Sequence, residues 1–363
     1  MEIRKIVITG GPCAGKTTAL SWIQNAMTQL GYRVLFVPET ATELITGGVA
    51  PWTCGTNAEY QKCQMRMQME KERIFEQAAK TMDAEKILIV CDRGELDNRA
   101  YMNDAEFQEV LEYLGTGEIE LRDAYDAVFH LVTAAKGAEE FYTTLNNAAR
   151  YETYEEARAL DDRLIAAWTG HPHLRVIDNS SDFENKMKRL IAEITFFLGA
   201  PDPFENEHRF LIEYPDIQRL ASLPGCQRLE ILQTYIKAES GTEIRLRRRG
   251  SDGHYTYYQT VRKKSGAGTI ELERKLSGDE YRGLLMNADP ERHVIKKDRY
   301  YLIYRSRYFK IDVYPFWTDR AIAEIELTEP GQEIIFPEEI RVIREITNEE
   351  AYQNASLAKE IPV

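Results

Sequence analysis

Three features are missing from this sequence of 363 residues. No apolar run approaches the roughly 20 residues that a membrane-spanning helix needs. The five cysteines show no C-x-x-C spacing, which disfavours structural zinc and a disulfide framework. Basic residues do not predominate, since 46 Lys and Arg face 59 Asp and Glu, so broad nucleic-acid binding is not expected. We therefore expect a soluble cytoplasmic protein with free thiols and no signal peptide.

The acidic excess is not spread evenly along the chain. Residues 241–310 hold 17 Lys and Arg against 9 Asp and Glu, whereas residues 311–363 hold 4 against 12. Such blocks occur on ordinary solvated sheet faces. They also occur where anions and cations bind at one site. The charge pattern alone leaves both interpretations open.

The segment from residue 10 to residue 18, GGPCAGKTT, is the most informative motif. It fits G-x-x-x-x-G-K-[ST] between an apolar run, Ile6–Ile8, and a helical pattern. In that context the backbone N–H groups surround a phosphate, the lysine adds charge and the threonine hydroxyl can bind Mg²⁺. The alternative is a glycine-rich turn that caps a helix. The predicted nucleotide ligands are Gly10, Gly11, Pro12, Cys13, Ala14, Gly15, Lys16, Thr17 and Thr18.

Strand and helix signals alternate through residues 1–200. Continuous apolar runs predict parallel strands that are covered on both faces. The predicted strands cover residues 3–9, 33–38, 86–91, 127–132 and 174–177. The predicted helices cover residues 16–30, 58–85, 105–114, 152–168 and 183–198. The sequence therefore predicts a three-layer α/β domain with a parallel sheet.

The pattern changes after the predicted linker at residues 199–203, GAPDP. From there apolar residues alternate with polar ones, as in half-buried strands, and we predict a second domain over residues 204–359. Nine short runs are predicted at 204–212, 229–236, 243–249, 254–262, 269–275, 300–303, 308–314, 321–327 and 342–347. The count predicts an α+β domain built on an antiparallel sheet or barrel.

Charged residues follow two strands of the first domain. Glu39 comes after the second predicted strand, and Asp92 with Arg93 comes after the third. Ligands of open α/β sheets bind at the carboxyl ends of the strands, so these residues should lie near the loop. Asp92 could hold Mg²⁺, and Glu39 could accept a proton or orient water. The alternative is that both carboxylates cap helices or pair with Arg93. Arg150 is a candidate lid arginine that would close over the γ-phosphate.

These residues carry a resemblance. The loop at 10–18, Pro38-Glu39-Thr40, Asp92-Arg93-Gly94 and Arg150 resemble the AAA-type P-loop domains related to nucleoside and nicotinamide-riboside kinases. The resemblance implies binding of ATP or GTP with Mg²⁺. It implies catalytic roles for Glu39, Asp92 and Arg150.

Charged residues of both signs alternate along the predicted strands of the second domain. Glu205-x-Glu207-x-Arg209 and Glu243-x-Arg245-x-Arg247 each place three charges on one strand face. A single strand of this kind is an ordinary half-solvated strand. Six or more suggest a closed barrel with the charges inside, where cations bind phosphate oxygens and carboxylates bind divalent metal.

The order and spacing of these runs resemble the CYTH domain, also called the triphosphate tunnel fold. The resemblance implies Mg²⁺ or Mn²⁺ ligands at Glu205, Glu207, Glu324 and Glu326, with the last two also catalytic. It implies a triphosphate held by Arg209, Arg245, Arg247, Arg262, Lys296 and Arg299. Further tunnel carboxylates are implied at Glu271, Glu273, Asp312 and Glu345. Arg209 stands where the family has lysine, which changes the geometry of the cation.

Three functions remain open. The chain can be an enzyme that binds ATP or GTP at the loop and hydrolyses a triphosphate in the tunnel. It can be a regulatory module, because the domain order resembles GTP-binding proteins of the TRPL translocation defect type. There the tunnel would hold a phosphorylated ligand or an acidic phospholipid headgroup without turnover. The third is a small-molecule kinase with Glu39 as base and the second domain as sensor.

Overall fold

The computed structural model describes residues 1–141, 153–200, 207–265, 268–327 and 333–362. The chain divides into two compact units, Met1–Phe197 and Leu198–Val363. No helix in the described ranges is long and apolar enough to cross a membrane.

The first unit alternates strands with helices. Its strands are β1 (Glu2–Gly10), β2 (Arg33–Val37), β3 (Lys86–Asp92), β4 (Ala127–Leu131) and β5 (Leu174–Ile177). Its helices are α1 (Lys16–Gln29), α2 (Thr40–Thr46), α3 (Asn57–Lys80), α4 (Asp104–Leu114), α5 (Glu118–Arg122), α6 (Tyr154–Trp168) and α7 (Phe183–Phe197). The strands form one parallel sheet in the order β2-β3-β1-β4-β5.

Continuous apolar runs explain this sheet. In β3 the residues from Ile87 to Cys91 are all fully buried, as expected for a strand covered by helices on both faces. Helix starts are also encoded locally. The Thr56 side chain caps α3, and Asn103 with Glu106 forms a capping box on α4. The predicted parallel α/β fold is confirmed.

The second unit contains the remaining strands. They are β6 (Glu207–Glu213), β7 (Gln227–Ile236), β8 (Thr242–Ser251), β9 (His254–Ser265), β10 (Gly268–Leu276), β11 (Ile295–Tyr304), β12 (Arg307–Val313), β13 (Arg320–Glu326) and β14 (Val342–Glu345). The helices are α8 (Ile217–Ala221), α9 (Gly278–Leu285) and α10 (Asn354–Leu357). All neighbours are antiparallel in the order β10-β9-β8-β7-β11-β12-β13-β6-β14. The predicted antiparallel α+β fold is confirmed.

The two faces of this sheet differ in chemistry. One face buries an apolar core that includes Phe210, Leu302 and Ile311 and packs on Leu220 of α8. The other face, called here the charged face, carries ionised side chains on alternate positions of the strands. Several of them are buried, with Asp312 0% and Lys297 3% exposed. A flat sheet would leave that face in water, so the burial shows that the surrounding chain encloses it.

Candidate functional site

The loop between β1 and α1 requires glycine at two points. Gly10 has a φ of +143°, and a Cβ there would lie 2.1 Å from the carbonyl oxygen of Leu131. Gly15 has a φ of +92°, and a Cβ there would lie 2.6 Å from the ring of Phe183. Larger residues are excluded at both points by backbone conformation and by contact. The motif therefore forms the tight turn that brings backbone N–H groups to the start of α1.

The side chain of Lys16 folds back over the loop and binds its backbone. Its Nζ donates hydrogen bonds to the carbonyl oxygens of Gly10 at 2.9 Å and Gly11 at 3.2 Å. Burial, together with the nearby charge of Arg93, lowers the pKa of Lys16 to about 8. An anion bound in the loop would favour the charged form of this lysine. The geometry and the electrostatics both suit a phosphate ligand.

Two buried charged residues that were not predicted from the sequence bind the backbone of the loop. Asp161 of α6 accepts hydrogen bonds at Oδ1 from the N–H of Gly11 at 3.0 Å and of Thr133 at 3.2 Å. Lys186 of α7 donates to the carbonyl oxygens of Ala14 at 3.2 Å and Val132 at 2.7 Å. Burial lowers the pKa of Lys186 to about 7. These contacts tie the loop to the carboxyl end of β4.

The carboxyl ends of β2 and β3 meet beside the loop, as predicted. Glu39 pairs with Arg93 at 2.5 Å and accepts a hydrogen bond from Thr42 at 2.6 Å. Burial opposes ionisation of Glu39, but Arg93 and then Thr42 outweigh it and lower the pKa of Glu39 to about 2. Glu39 is therefore a weak base, which fits the pairing alternative. The predicted catalytic role of Glu39 stays a prediction.

Asp92 is the better candidate for metal in this unit. Its Oδ1 is buried and has no hydrogen-bond partner in the described part of the chain. Burial raises the pKa of Asp92, against the pull of Lys16. With the Thr17 hydroxyl at the start of α1, these donors fit Mg²⁺. The third predicted catalytic residue of this unit, Arg150, lies outside the described residues.

The charged face of the second unit has a basic side. Arg245 and Arg247 lie on β8, and Lys297 and Arg299 lie on β11. Burial, with repulsion by Arg245 and Arg299, lowers the pKa of Arg247 even though Glu273 acts in the opposite direction. Glu273 lies 3.6 Å from Arg247 and balances its charge in part. A bound anion would offset the remaining repulsion among Arg245, Arg247 and Arg299.

The same face has an acidic side on β6 and β13. Glu207 lies opposite Glu326 in the strand register, and Glu324 lies two residues before Glu326. Desolvation by the surrounding chain, and then repulsion by Glu324 and Glu326, raises the pKa of Glu207, although its side chain remains 55% exposed. Glu324 itself pairs with Arg299 at 2.7 Å and with Arg209 at 3.3 Å, which holds its pKa well below the usual range. Glu207 therefore marks an excess of negative charge that a cation would relieve.

The structure corrects one predicted triphosphate ligand. Lys296 is exposed on the face of β11 opposite to the charged face. Lys297 is the buried lysine, and its Nζ lies 2.5 Å from Asp312. Side chains of a strand alternate between faces, so Lys297 shares a face with Arg299 and Lys296 does not. The alternation of side chains along a strand was therefore enough to predict Lys297 in place of Lys296.

The other predicted residues of the tunnel are placed as follows. Arg209 is buried in its pair with Glu324 and also donates to the carbonyl oxygen of Tyr352 at 3.0 Å. Arg262 belongs to the charged face but is exposed near the end of β9. The predicted metal ligand Glu205 and the side chain of Glu271 lie outside the described residues. Within the described ranges, no group of three or more His, Cys, Asp or Glu could hold a metal ion.

Comparison with known proteins bears on the first unit. A family model described as an AAA domain matches residues 5–186. The chain belongs to this family. The matched range includes the loop, Glu39, Asp92, and the residues Asp161 and Lys186 that bind the loop backbone. The match supports nucleotide binding at residues 10–18. No curated protein matches the sequence.

Solved structures resemble the chain over less than half of its length. The inorganic triphosphatase NE1496 is 23% identical with a TM-score of 0.32, and the match covers 45% of this chain and 100% of that one. The PH1012 protein from Pyrococcus horikoshii OT3 is 18% identical with a TM-score of 0.26, and the match covers 34% of this chain and 80% of that one.

Proposed function

We propose that this protein handles phosphate chains at two sites. The AAA domain binds ATP or GTP with Mg²⁺ at residues 10–18, and the charged face of the second unit binds and hydrolyses a triphosphate. One observation carries the second part. Cations on β8 and β11 and carboxylates on β6 and β13 share one face of the sheet, where burial and like-charge repulsion lower the pKa of Arg247 and raise that of Glu207. Such a site is incomplete without an anion and a cation.

The layout of the cations favours a chain of phosphates over a single one. Arg245 and Arg247 on β8 are separated from Lys297 and Arg299 on β11 by one strand, β7. Two inter-strand spacings amount to about 10 Å along the sheet. Cations spread over this distance suit a chain of phosphates, whose oxygens extend over a comparable length. Guanidinium groups also bind phosphate oxygens in pairs, which fixes the orientation of the chain.

The acidic side fits a divalent metal. Glu207 and Glu326 would hold Mg²⁺ or Mn²⁺ together with Glu205, because hard cations prefer carboxylate oxygens. The metal, when bound, would neutralise phosphate charge and favour attack by water on the terminal phosphorus. The protein supplies the fixed cations that hold the rest of the phosphate chain.

Glu207→Gln tests this function with little risk to folding, since the Glu207 side chain is 55% exposed and its ion pair with Arg209 is long, at 3.8 Å. We expect about a tenfold or greater loss of phosphate release from tripolyphosphate at limiting Mg²⁺, because one metal ligand is weakened. Glu213→Gln, at the far end of the same strand, is the matched control. The assay should include ATP, GTP and thiamine triphosphate.

Two outcomes would count against hydrolysis at this site. One is full activity of Glu207→Gln at limiting Mg²⁺. The other is saturable binding of tripolyphosphate by the wild type without phosphate release, which would instead favour a regulatory binding module.

The pH dependence of hydrolysis should show whether the charged form of Lys297 binds the triphosphate. Burial, and then the charge of Arg299, lowers the pKa of Lys297 to about 8, so its ammonium loses a proton as the pH rises through that value. The triphosphate then loses a cationic contact, and we expect kcat/KM to fall above pH 8 or so. Lys297→Arg keeps its charge and should shift this limb to higher pH. An identical limb in both proteins, with the same substrate, would rule out this assignment.

A further inference from the structure

One lysine lies among the carboxylates of the acidic side. Lys310 of β12 is only 9% exposed, and its Nζ donates a hydrogen bond to Oε1 of Glu326. Its charge also acts on Glu207 and on Glu324. No role for Lys310 was predicted from the sequence. Because Glu207 and Glu326 are the proposed metal ligands, the ammonium group and the metal require the same carboxylate.

Lys310 lies at the boundary between the two sides of the charged face. In the sheet, β12 lies between β11, which carries part of the basic side, and β13, which carries part of the acidic side. Lys310 is opposite Glu324 in the register and shares its face with Asp312, two residues along the strand. Neighbouring strands are about 5 Å apart, so a flexible four-carbon side chain at this position can reach groups on either side.

The neighbouring ion pairs of the charged face are held by arginine. Glu324 pairs with Arg299 at 2.7 Å and with Arg209 at 3.3 Å. Asp312 accepts two hydrogen bonds from Arg299, both at 2.6 Å. A guanidinium group matches a carboxylate at two points, whereas an ammonium group is a compact charge with three rotatable donors. Lys310 can therefore exchange one acceptor for another without breaking a two-point pair.

Free metal bound at Glu326 would leave the Lys310 ammonium group without its counter-ion. The metal competes with Lys310 for the same carboxylate oxygens and repels its charge. The side chain of Lys310 is 11% exposed, so water compensates little for the lost ion pair. Since a buried charge without a partner is costly, we expect the acidic side to bind free divalent metal poorly.

Metal that arrives on a triphosphate does not carry this cost. The phosphate oxygens bring a new acceptor to the boundary where Lys310 lies, and lysine is a common ligand of phosphate groups. We propose that Lys310 selects the metal–triphosphate complex as the substrate: its ammonium group holds Glu326 in the unliganded protein and turns to a phosphate oxygen when the complex binds. This inference rests on the proposed function of the second unit and names the form of its substrate.

Opposite changes in two affinities test this role. Calorimetric titration of Mn²⁺ into the full chain should give a Kd about tenfold or more lower for Lys310→Met than for the wild type, because the competing cation is gone. The complex of Mn²⁺ with non-hydrolysable imidotriphosphate should bind Lys310→Met about tenfold more weakly, because a phosphate contact is lost. A lysine that only stabilises the fold would not change the two affinities in opposite directions.

Further variants locate the effect. Lys310→Arg keeps the charge, so its affinity for free Mn²⁺ should stay within about threefold of the wild type. Lys296→Met, exposed on the opposite face of β11, should change neither affinity. The gain for free Mn²⁺ should vanish when Glu207→Gln is added to Lys310→Met, which places the gain at the acidic side and not at the phosphate loop. Lys310→Gln, which keeps a hydrogen-bond donor, repeats the test if Lys310→Met unfolds.

Two results would overturn the proposal. One is that free Mn²⁺ binds the folded Lys310 variants without charge no more tightly than it binds the wild type. The other is that these variants lose affinity for both free Mn²⁺ and the complex, which would show that Lys310 only maintains the site. Failure of the wild type to bind imidotriphosphate, with or without metal, would instead contradict the proposed function.

Discussion

Lys297→Met should lower kcat/KM for tripolyphosphate about 10- to 100-fold, whereas Lys296→Met should change it by less than about twofold. Lys297 lies on the charged face with Arg299, and Lys296 is exposed on the opposite face. A buried, charge-assisted hydrogen bond contributes about 1.5–3 kcal/mol, which corresponds to the larger effect. The two variants differ by one position and are otherwise the same substitution.

Loss of folding does not explain the expected difference. In Lys297→Met the neighbouring Asp312 keeps two hydrogen bonds from Arg299, both at 2.6 Å, so no buried carboxylate is left unpaired. Thermal unfolding of both variants checks this point. Equal kcat/KM values for Lys296→Met and Lys297→Met would show that the charged face does not hold the substrate.

Lys16→Ala should weaken nucleotide binding about 100-fold or more. Its Nζ is held over the loop by the backbone carbonyl groups of Gly10 and Gly11, where the motif predicts contact with a phosphate. The measurement is the Kd of a non-hydrolysable ATP or GTP analogue by calorimetry. Lys80→Ala, at the exposed end of α3, is the matched control.

Folding of Lys16→Ala should be retained, since Asp161 and Lys186 hold the loop without it. An unchanged Kd in Lys16→Ala, or an equal loss in Lys80→Ala, would contradict phosphate binding by the loop.

Most of the fold could be predicted because its signals are local. Each of the nine runs with a period of two became a strand, and β5 has the predicted bounds, residues 174–177. The phosphate loop was predictable because its backbone adopts conformations that only glycine accepts readily, as at Gly10. Short elements such as α2 and the 3₁₀ helix Glu95–Tyr101 were not predicted, because few residues of each carry a periodic signal.

The missed parts of the sites depend on tertiary partners. Asp161 and Lys186 read as ordinary charges of amphipathic helices, and only the fold shows them buried against the loop. Both lie on the buried faces of α6 and α7, so the periodicity of these helices carries the signal. The prediction of Lys296 failed for a different reason, since it followed the spacing of a motif and not the alternation of a strand.

The central claim is that the loop and the charged face bind phosphate chains independently. Calorimetric titration of tripolyphosphate and of a non-hydrolysable nucleotide into Lys16→Ala and Lys297→Met tests it most directly. We predict that Lys16→Ala loses the nucleotide and keeps tripolyphosphate, and that Lys297→Met weakens tripolyphosphate binding and keeps the nucleotide. Loss of tripolyphosphate binding in Lys16→Ala, with wild-type binding in Lys297→Met, would contradict the account.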